Sequence, residues 1–161
     1  LTGDTNENHV RSAGADAYVA KFAASELADC LRGVLARYEK APDEVTNTVE
    51  KLAVDLFVDK VCEALVVENE AQQVVGFALH YESYSTWKGR CLYLEDFYIQ
   101  PEFRRGGIGS RLFTRVVEIA RERGAKRMDW QVLDWNEPAI EFYKKHDALL
   151  DPEWVNGRLF F

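Results

Sequence analysis

A short basic loop rich in glycine stands between an apolar segment and an amphipathic one, and its residue types are those of an anion-binding site. The loop reads RRGGIGS over residues 104–110. Glycine lets the backbone approach a ligand closely because it has no Cβ, and a helix that starts at the loop presents N–H groups and the positive end of its dipole. The two arginines add charge-assisted donors. The residues predicted to cradle a phosphate-type anion are Arg104, Arg105, Gly106, Gly107, Ile108, Gly109 and Ser110.

The loop belongs to a positively charged segment of an acidic protein. Residues 101–127 contain eight Lys and Arg against three Asp and Glu, whereas the whole chain contains 20 against 27 and has a net charge of −7. This contrast favours a discrete anionic ligand and argues against nucleic acid, for which a broad basic face is expected. Five further basic residues of the segment are predicted to be solvated surface: Arg115, Arg121, Arg123, Lys126 and Arg127.

Two adjacent carboxylates lie in the apolar segment before the loop. Glu95 and Asp96 would face opposite ways on a regular strand. Burying such a pair is costly unless a cation or hydrogen-bond donors compensate, and an alkylammonium group would do so. A salt bridge at the strand end, with Arg90 or a lysine, is the structural alternative.

The elements that position these residues follow from hydrophobic periodicity and capping signals. Asn47 and Glu50 predict a capping box for the second helix. The predicted fold class is α/β (α+β), with a mixed, mostly antiparallel central sheet and helices on both faces. The predicted strands are 17–23, 61–69, 74–84, 91–99, 127–133 and a closing hairpin of 148–150 with 158–161; the predicted helices follow Ser25 and Asn47 and cover 107–123 and 138–145.

Length and composition indicate one globular domain. The chain has 161 residues, of which 47% are hydrophobic, so it can bury a substantial core. We expect residues 1–15 to be disordered or a processed end, and residues 16–161 to form the domain. No apolar run approaches the roughly 20 residues that span a bilayer, so no membrane association is expected. The three cysteines lack metal-ligand spacing, which predicts reduced thiols in a cytoplasmic protein and no metal site.

The loop departs from two common phosphate-binding motifs. A Walker A loop needs Lys followed by Ser or Thr after its last glycine, but Gly109 is followed by Ser110 and Arg111. A dinucleotide fingerprint needs G-x-G-x-x-G, and residues 107–109 provide only its first half. The order Arg-x-x-Gly-x-Gly instead resembles the acetyl-CoA pyrophosphate loop of the GNAT acetyltransferase superfamily.

The resemblance covers the chain from about residue 17 to its end. LYLEDFYI at 92–99 and WNEPAIEFY at 135–143 resemble motifs of the spermidine/spermine acetyltransferase family within GNAT. YSTWKGR at 84–90 and VLDWN at 132–136 resemble more closely its thialysine N-epsilon-acetyltransferase branch. The resemblance implies the GNAT fold, acetyl-CoA as co-substrate, direct transfer to a primary amine in a ternary complex, and a homodimer.

The identity of the amine depends on one position. Members that acetylate polyamines carry an acid where this chain has Ser85, so the resemblance favours a small amine such as thialysine or lysine. A polyamine acceptor is the alternative. Two other classes stay open: a protein or peptide acetyltransferase on the same fold, and a catalytically silent CoA-binding module.

The resemblance also implies roles for individual residues. Tyr143 would protonate the leaving CoA thiolate, since a phenol of pKa about 10 can protonate a thiolate whose conjugate acid has a pKa of about 8.5. Glu95 would bind the amine and relay its proton through water. Packing alone could explain Tyr143 and Trp87, and capping alone Asn136. The other implied contacts are Phe97, Tyr98 and Ile99 N–H groups to the thioester carbonyl, Asn136 and Tyr143 to CoA, and Tyr38, Glu39, Ser85, Trp87, Glu95 and Asp96 to the amine.

Overall fold

The computed structural model describes residues 10–12, 15–18 and 46–159. The chain divides into two compact units, residues 1–130 and 131–161. The first unit contains, in order, β1 (Val10–Ser12), β2 (Ala15–Tyr18), α1 (Val49–Phe57), β3 (Glu63–Glu68), β4 (Val74–Ser85), β5 (Gly89–Ile99), α2 (Ile108–Glu122) and β6 (Met128–Asp129). The second contains α3 (Glu137–Lys144).

The strands of the first unit form one mixed sheet in the order of the chain, β1 to β6. Neighbouring strands are antiparallel from β1 to β5, and the long pairing of β4 with β5 is its centre. β6 is parallel to β5, and the connection between them contains α2. The prediction of a mixed, mostly antiparallel sheet is therefore confirmed.

Helices pack on both faces of this sheet. On one face, the core cluster of α1 with β3, β4 and β5 includes Tyr98, whose ring centroid lies 6.1 Å from that of Phe77. On the other face, Phe97 meets Phe113 of α2 edge-on at 5.8 Å, as alternation along β5 requires. The α1 side of the core consists of Leu52, Leu56, Ala64, Val66, Val74, Phe77, Leu79 and Tyr98.

The start of α1 corrects one predicted cap. Thr48, rather than Asn47, is the N-cap, and its hydroxyl accepts a hydrogen bond from the Lys51 N–H at 3.2 Å. Thr48 has extended backbone angles, which an N-cap requires, and the helix begins one residue later than the predicted capping box implies.

Two predicted strands are shorter or missing. β6 covers only two of the residues 127–133, and residues 148–150 form no strand. Leu149 is 92% exposed, so an isolated strand there would bury no apolar face. Of the predicted first strand, residues 17 and 18 belong to β2, and residues 19–23 lie outside the described part of the chain. The helix predicted after Ser25 and residues 160–161 lie outside the described residues.

A histidine is buried in the middle of β4. His80 is 1% exposed, and its Nδ1 has no hydrogen-bond partner among the described residues. It lies opposite Glu63 of β3, whose carboxylate accepts two hydrogen bonds from Arg123 just after α2, at 2.5 and 2.7 Å. Burial lowers the pKa of His80 although the charge of Glu63 opposes the shift.

His80 should make the protein sensitive to acid. Its pKa is lower in the folded state than in the unfolded chain, so the unfolded state binds more protons below pH about 6.5, and stability falls as pH decreases. The loss from this group is at most about 1.4 kcal/mol per pH unit. We expect His80→Leu, which keeps an apolar contact with Leu94 opposite it, to flatten the decline in unfolding free energy between pH 7.5 and 5.

Urea unfolding of both proteins at several pH values measures this effect. If the unfolding free energy fell equally steeply with decreasing pH in the wild type and in His80→Leu, His80 would not be the source of the acid sensitivity.

Candidate active site

The carboxylate pair of β5 lies at a β-bulge. Leu79 pairs with Asp96 and His80 pairs with Leu94, so Glu95 is an extra residue with no partner in β4. Directly paired residues share a face, and Leu79 belongs to the core on the α1 side, which puts Asp96 on that side. The prediction that Glu95 and Asp96 face opposite ways assumed a regular strand, and a bulge breaks that alternation.

The pKa of Tyr81 indicates where the Glu95 side chain lies. The negative charge of Glu95 raises the pKa of Tyr81 after the larger effect of burial, so the two side chains are close. Tyr81 is two residues after Leu79 on β4 and therefore also faces α1. Glu95 is exposed, whereas Asp96 is half-buried. Both carboxylates are therefore on the α1 face, one accessible to solvent and the other partly covered.

The two edges of β5 differ in how far a neighbouring strand pairs with them. β4 pairs with it as far as Ile99, whereas β6 pairs only with Leu92 and Tyr93. Among the described strands, none continues along that second edge beyond Tyr93. Successive N–H groups of a strand point to opposite edges, so the segment 97–99 directs only part of its N–H groups away from β4.

The predicted anion loop joins β5 to α2 through a short 3-10 turn, Pro101–Phe103. Arg105 and Gly107 both have left-handed backbone angles, with φ of 66° and 79°. Left-handed residues within a turn can direct successive N–H groups into one concavity that suits an anion. A Cβ at Gly106 would meet nothing within 4 Å, so the space above this part of the loop is open.

The helix after the loop begins without a side-chain cap. Gly107 is the N-cap of α2 and provides no side-chain hydrogen bond, and the first turn contains no acidic residue. The positive end of the helix dipole therefore faces the loop, and no carboxylate of its own first turn compensates it. This is the arrangement that the sequence predicts for an anion site.

The two loop arginines differ in how they are held. The Arg104 Nε donates to the Ile99 carbonyl at 2.8 Å, and its guanidinium lies 5.6 Å from the centre of the Tyr98 ring. Arg104 thus holds the loop against the end of β5. Arg105 is exposed, and the strained φ of this non-glycine residue is typical of functional loops.

A third arginine, Arg111, belongs to this loop in space. A Cβ built at Gly107 would lie 3.7 Å from its Nη1, so its side chain reaches back over the helix start. The sequence analysis did not single it out, although a residue four positions after the N-cap lies above it on the same helix face.

Most basic residues further along are used in ion pairs. Arg115 pairs with Glu118 and Glu122, at 3.2 and 2.9 Å. Arg123 pairs with Glu63, as described above, and Arg127 pairs with Asp129 at 2.8 Å. Arg127 is exposed as predicted, whereas the Arg115 and Arg123 side chains are only 13% and 31% exposed, so the prediction of solvated surface is wrong for these two. Their ion pairs leave the loop as the focus of positive charge.

Two predicted site residues lie on the hairpin between β4 and β5. Ser85 pairs with Gly89, and its hydroxyl accepts hydrogen bonds from the N–H groups of Trp87 and Lys88, both at 3.3 Å. Trp87 is 86% exposed. Glu95 is six residues beyond Gly89, which corresponds to about 20 Å along a strand.

The second unit contains the predicted tyrosine helix. Asn136 caps α3, since its side-chain oxygen accepts a hydrogen bond from the Ala139 N–H at 3.3 Å. Tyr143 is 6% exposed, and its ring centroid is 5.4 Å from that of Phe142. Burial raises the pKa of Tyr143 to about 12, so the phenol keeps its proton at neutral pH.

The backbone that follows α3 also holds Tyr143. Its carbonyl accepts hydrogen bonds from the N–H groups of His146 and Ala148, at 2.9 and 3.2 Å. Asp147 between them has a left-handed φ of 58°, a conformation in which many helices end and which aspartate tolerates better than most residues.

The described residues thus contain an exposed carboxylate at a strand bulge, an anion cradle and a buried protonated phenol. Tyr38 and Glu39, predicted on the amine side, lie outside them. Within the described part of the chain, no cluster of three or more metal-ligating side chains occurs, and no helix has the length and apolar character needed to cross a membrane.

Comparison with known proteins shows the family of the chain. The acetyltransferase (GNAT) family model matches residues 28–148. The thialysine N-epsilon-acetyltransferase of Bos taurus is 45% identical over 118 residues, which are 68% of this chain and 69% of that protein. The human spermidine/spermine N(1)-acetyltransferase-like protein 1 is 34% identical over 137 residues, 78% of this chain and 20% of that protein.

Structural comparison supports the fold. An integron cassette protein from the mobile metagenome of V. cholerae superposes with a TM-score of 0.73 at 22% identity, and the match covers 93% of this chain and 94% of that one. The family model covers more than half of the sequence, and the bovine relative is matched over more than two thirds of its length. On these grounds the chain is an N-acetyltransferase that belongs to the GNAT family.

Proposed function

We propose that this protein transfers the acetyl group of acetyl-CoA to the primary amine of a small molecule, with a thialysine- or lysine-like amine as the preferred acceptor. The observation that carries the proposal is the loop 104–110, whose left-handed backbone leads into a helix without a side-chain cap. The name of the bovine relative supports the choice of amine.

The loop and α2 would bind the pyrophosphate of CoA. N–H groups of the concavity and the helix start would donate to its oxygens, and Arg105 and Arg111 would add charge. Arg104 would contribute mainly by holding the loop to the Ile99 carbonyl. Gly106, Ile108, Gly109 and Ser110 complete the proposed cradle, and Asn136 is a proposed further contact to CoA.

The acetyl group would lie at the end of β5. Backbone N–H groups of the segment Phe97, Tyr98 and Ile99 that point away from β4 would polarise the thioester carbonyl, and the early end of the pairing between β5 and β6 supports this role. As the amine attacks the carbonyl carbon, the carbon–sulfur bond breaks, and the thiolate takes a proton from the Tyr143 hydroxyl. The raised pKa of Tyr143 supports this role because the phenol is protonated at neutral pH.

The amine must lose a proton before it attacks, because a primary ammonium has a pKa of about 10.4. The Glu95 side chain is exposed, so its carboxylate would bind the ammonium and accept its proton through water. Asp96, Ser85 and Trp87, together with Tyr38 and Glu39, complete the proposed amine side.

An amine panel tests this proposal. Thiol release from acetyl-CoA is measured with thialysine, lysine, putrescine, spermidine, spermine and a lysine-containing peptide. We expect the highest kcat/KM with thialysine or lysine. A preference for spermidine would make the protein a polyamine acetyltransferase, and preference for the peptide a protein acetyltransferase. Acetyl-CoA binding without turnover of any amine would indicate a silent module.

Ser85 should limit the use of long polyamines. Ser85→Asp keeps an oxygen that can accept the two turn hydrogen bonds and adds a negative charge about 20 Å along the strand from Glu95. We expect kcat/KM for spermine to rise about two- to fivefold, the range of an exposed ion pair, with no change for thialysine.

Thr86→Asp is the matched control, because it adds the same charge one residue later in the same exposed turn. An equal gain for both variants would indicate a general charge effect and would contradict a specific role of position 85.

The resemblance further supports a homodimer in the cytoplasm, and we include both in the proposal. The thiols of Cys62 and Cys91 are free, which agrees with a reducing compartment. Light scattering at assay concentrations tests the dimer: a mass close to twice the 18.5 kDa of one chain is expected.

A further inference from the structure

Glu95 is exposed and sits at a bulge, so its carboxylate needs a partner that determines its direction. A bulge residue has no ladder partner, and an exposed carboxylate has several rotamers of similar energy. A catalytic group must nevertheless be held within a narrow range of geometry. Among the residues that the structure describes, a neighbour on the adjacent strand can do this.

Tyr81 is that neighbour. It is half-buried on β4 directly opposite Tyr93 of β5, two residues before Glu95. The rings of Tyr81 and Tyr93 are stacked, with centroids 5.3 Å apart and an angle of 29° between their planes. The stack restricts the Tyr81 ring, so its hydroxyl has a defined position on the α1 face of the sheet.

Glu95 is the diagonal neighbour of Tyr81 across the two strands, because Tyr81 pairs with Tyr93, and such neighbours are within reach of long and aromatic side chains. Burial, the negative charge of Glu95, the neighbouring Tyr93 and a hydrogen bond to Glu95 all raise the pKa of Tyr81. The phenol is therefore protonated throughout the physiological range and donates to the carboxylate. Cys62 lies on the same side of the sheet, and the pKa of its thiol is also raised. Burial and the charges of Asp55 and Glu63 contribute most to this rise, and the charge of Glu95 contributes less.

We propose that Tyr81 is a positioning residue of the acetyltransferase: its hydroxyl, held by the ring stack with Tyr93, orients the Glu95 carboxylate toward the amine. This inference rests on the proposed role of Glu95. One carboxylate oxygen accepts the phenol proton, and the other is left to bind the ammonium or the bridging water. No covalent step is assigned to Tyr81.

Kinetics of Tyr81→Phe, Glu95→Gln and the double variant test this role. Tyr81→Phe keeps the ring stack and removes only the hydroxyl. We expect kcat/KM for the amine to fall about tenfold, the usual effect of a hydrogen bond to a charged group, while KM for acetyl-CoA is unchanged. In the Glu95→Gln background, Tyr81→Phe should change kcat/KM for the amine less than twofold, because the carboxylate that the Tyr81 hydroxyl orients is no longer present.

Tyr84→Phe is the matched control. Tyr84 lies on the same strand but is 78% exposed, so loss of its hydroxyl should leave kcat/KM unchanged.

A second readout, an NMR titration, does not depend on activity. In protein labelled with ¹³C at the tyrosine ζ carbon, the resonance that is absent from the spectrum of Tyr81→Phe belongs to Tyr81. It should titrate at lower pH in Glu95→Gln, because the negative charge that raises its pKa is removed.

The outcomes separate the inference from the function on which it rests. Impaired Glu95→Gln beside unimpaired Tyr81→Phe would overturn the positioning role and leave the proposed role of Glu95 standing. Unimpaired Glu95→Gln would overturn both. Additive losses in the double variant, or a Tyr81 titration that Glu95→Gln does not move, would also overturn the positioning role.

Discussion

Replacing Tyr143 by phenylalanine is expected to lower kcat by about 10²- to 10⁴-fold, the range for loss of a general acid. The variant removes only the hydroxyl from a side chain that is 6% exposed, so ring packing against Phe142 is retained. Because burial raises the pKa of Tyr143 to about 12, the phenol is protonated throughout assays between pH 7 and 9. Steady-state kinetics at saturating acetyl-CoA and amine measure the effect.

Three measurements distinguish catalysis from damage to the fold. The dissociation constant for CoA, measured by titration calorimetry, and the melting temperature should both change little. Tyr84→Phe, which removes a hydroxyl from an exposed ring, should keep the wild-type kcat. Wild-type turnover in Tyr143→Phe would remove this residue from the mechanism and leave it as a packing residue of α3.

Replacing Arg105 by glycine is expected to raise KM for acetyl-CoA about 10- to 100-fold, as removal of a charged partner of the pyrophosphate would. Glycine suits this position because the backbone φ is 66°, a conformation that glycine adopts without strain. The substitution therefore removes the guanidinium and retains the loop geometry. The kcat at saturating acetyl-CoA should stay within about twofold of the wild type, since Arg105 is not assigned to the reacting atoms.

Arg121→Ala is the control for this experiment, because it removes one positive charge from the exposed last turn of α2. An equal rise in KM for both variants would mean that only the net charge of the segment matters. Raising the salt concentration should weaken acetyl-CoA binding more in the wild type than in Arg105→Gly.

Much of the fold could be predicted because its signals are local. The amphipathic period of α2, the capping of α3 by Asn136 and the alternation of β3, β4 and β5 depend on residue spacing within one segment. Element boundaries were less certain. The strand predicted at 127–133 contains suitable residues, yet only Met128 and Asp129 pair with β5, since pairing requires a neighbouring strand that sequence spacing does not reveal.

The position of the predicted loop could be derived because it is one continuous segment. The loop 104–110 precedes α2 as expected, and Arg105 and Gly107 have left-handed backbone angles. The assignment of the loop as an anion site stays a prediction. The roles of Arg104 and Arg111 depended on packing: one binds the Ile99 carbonyl, and the other reaches back over Gly107. Both contacts join residues that are close only after the loop has turned.

The sequence by itself therefore determined the family, the glycine-rich basic loop before α2 and the residue types available for acid–base chemistry, because each is encoded in short runs of neighbouring residues. Only the tertiary structure decided how the carboxylates are presented. The bulge at Glu95, its proximity to Tyr81 and the pairing of Glu63 with Arg123 depend on the register between strands and on helix packing. A shift of one residue in register would move these side chains to the opposite face of the sheet, and no local pattern specifies that register.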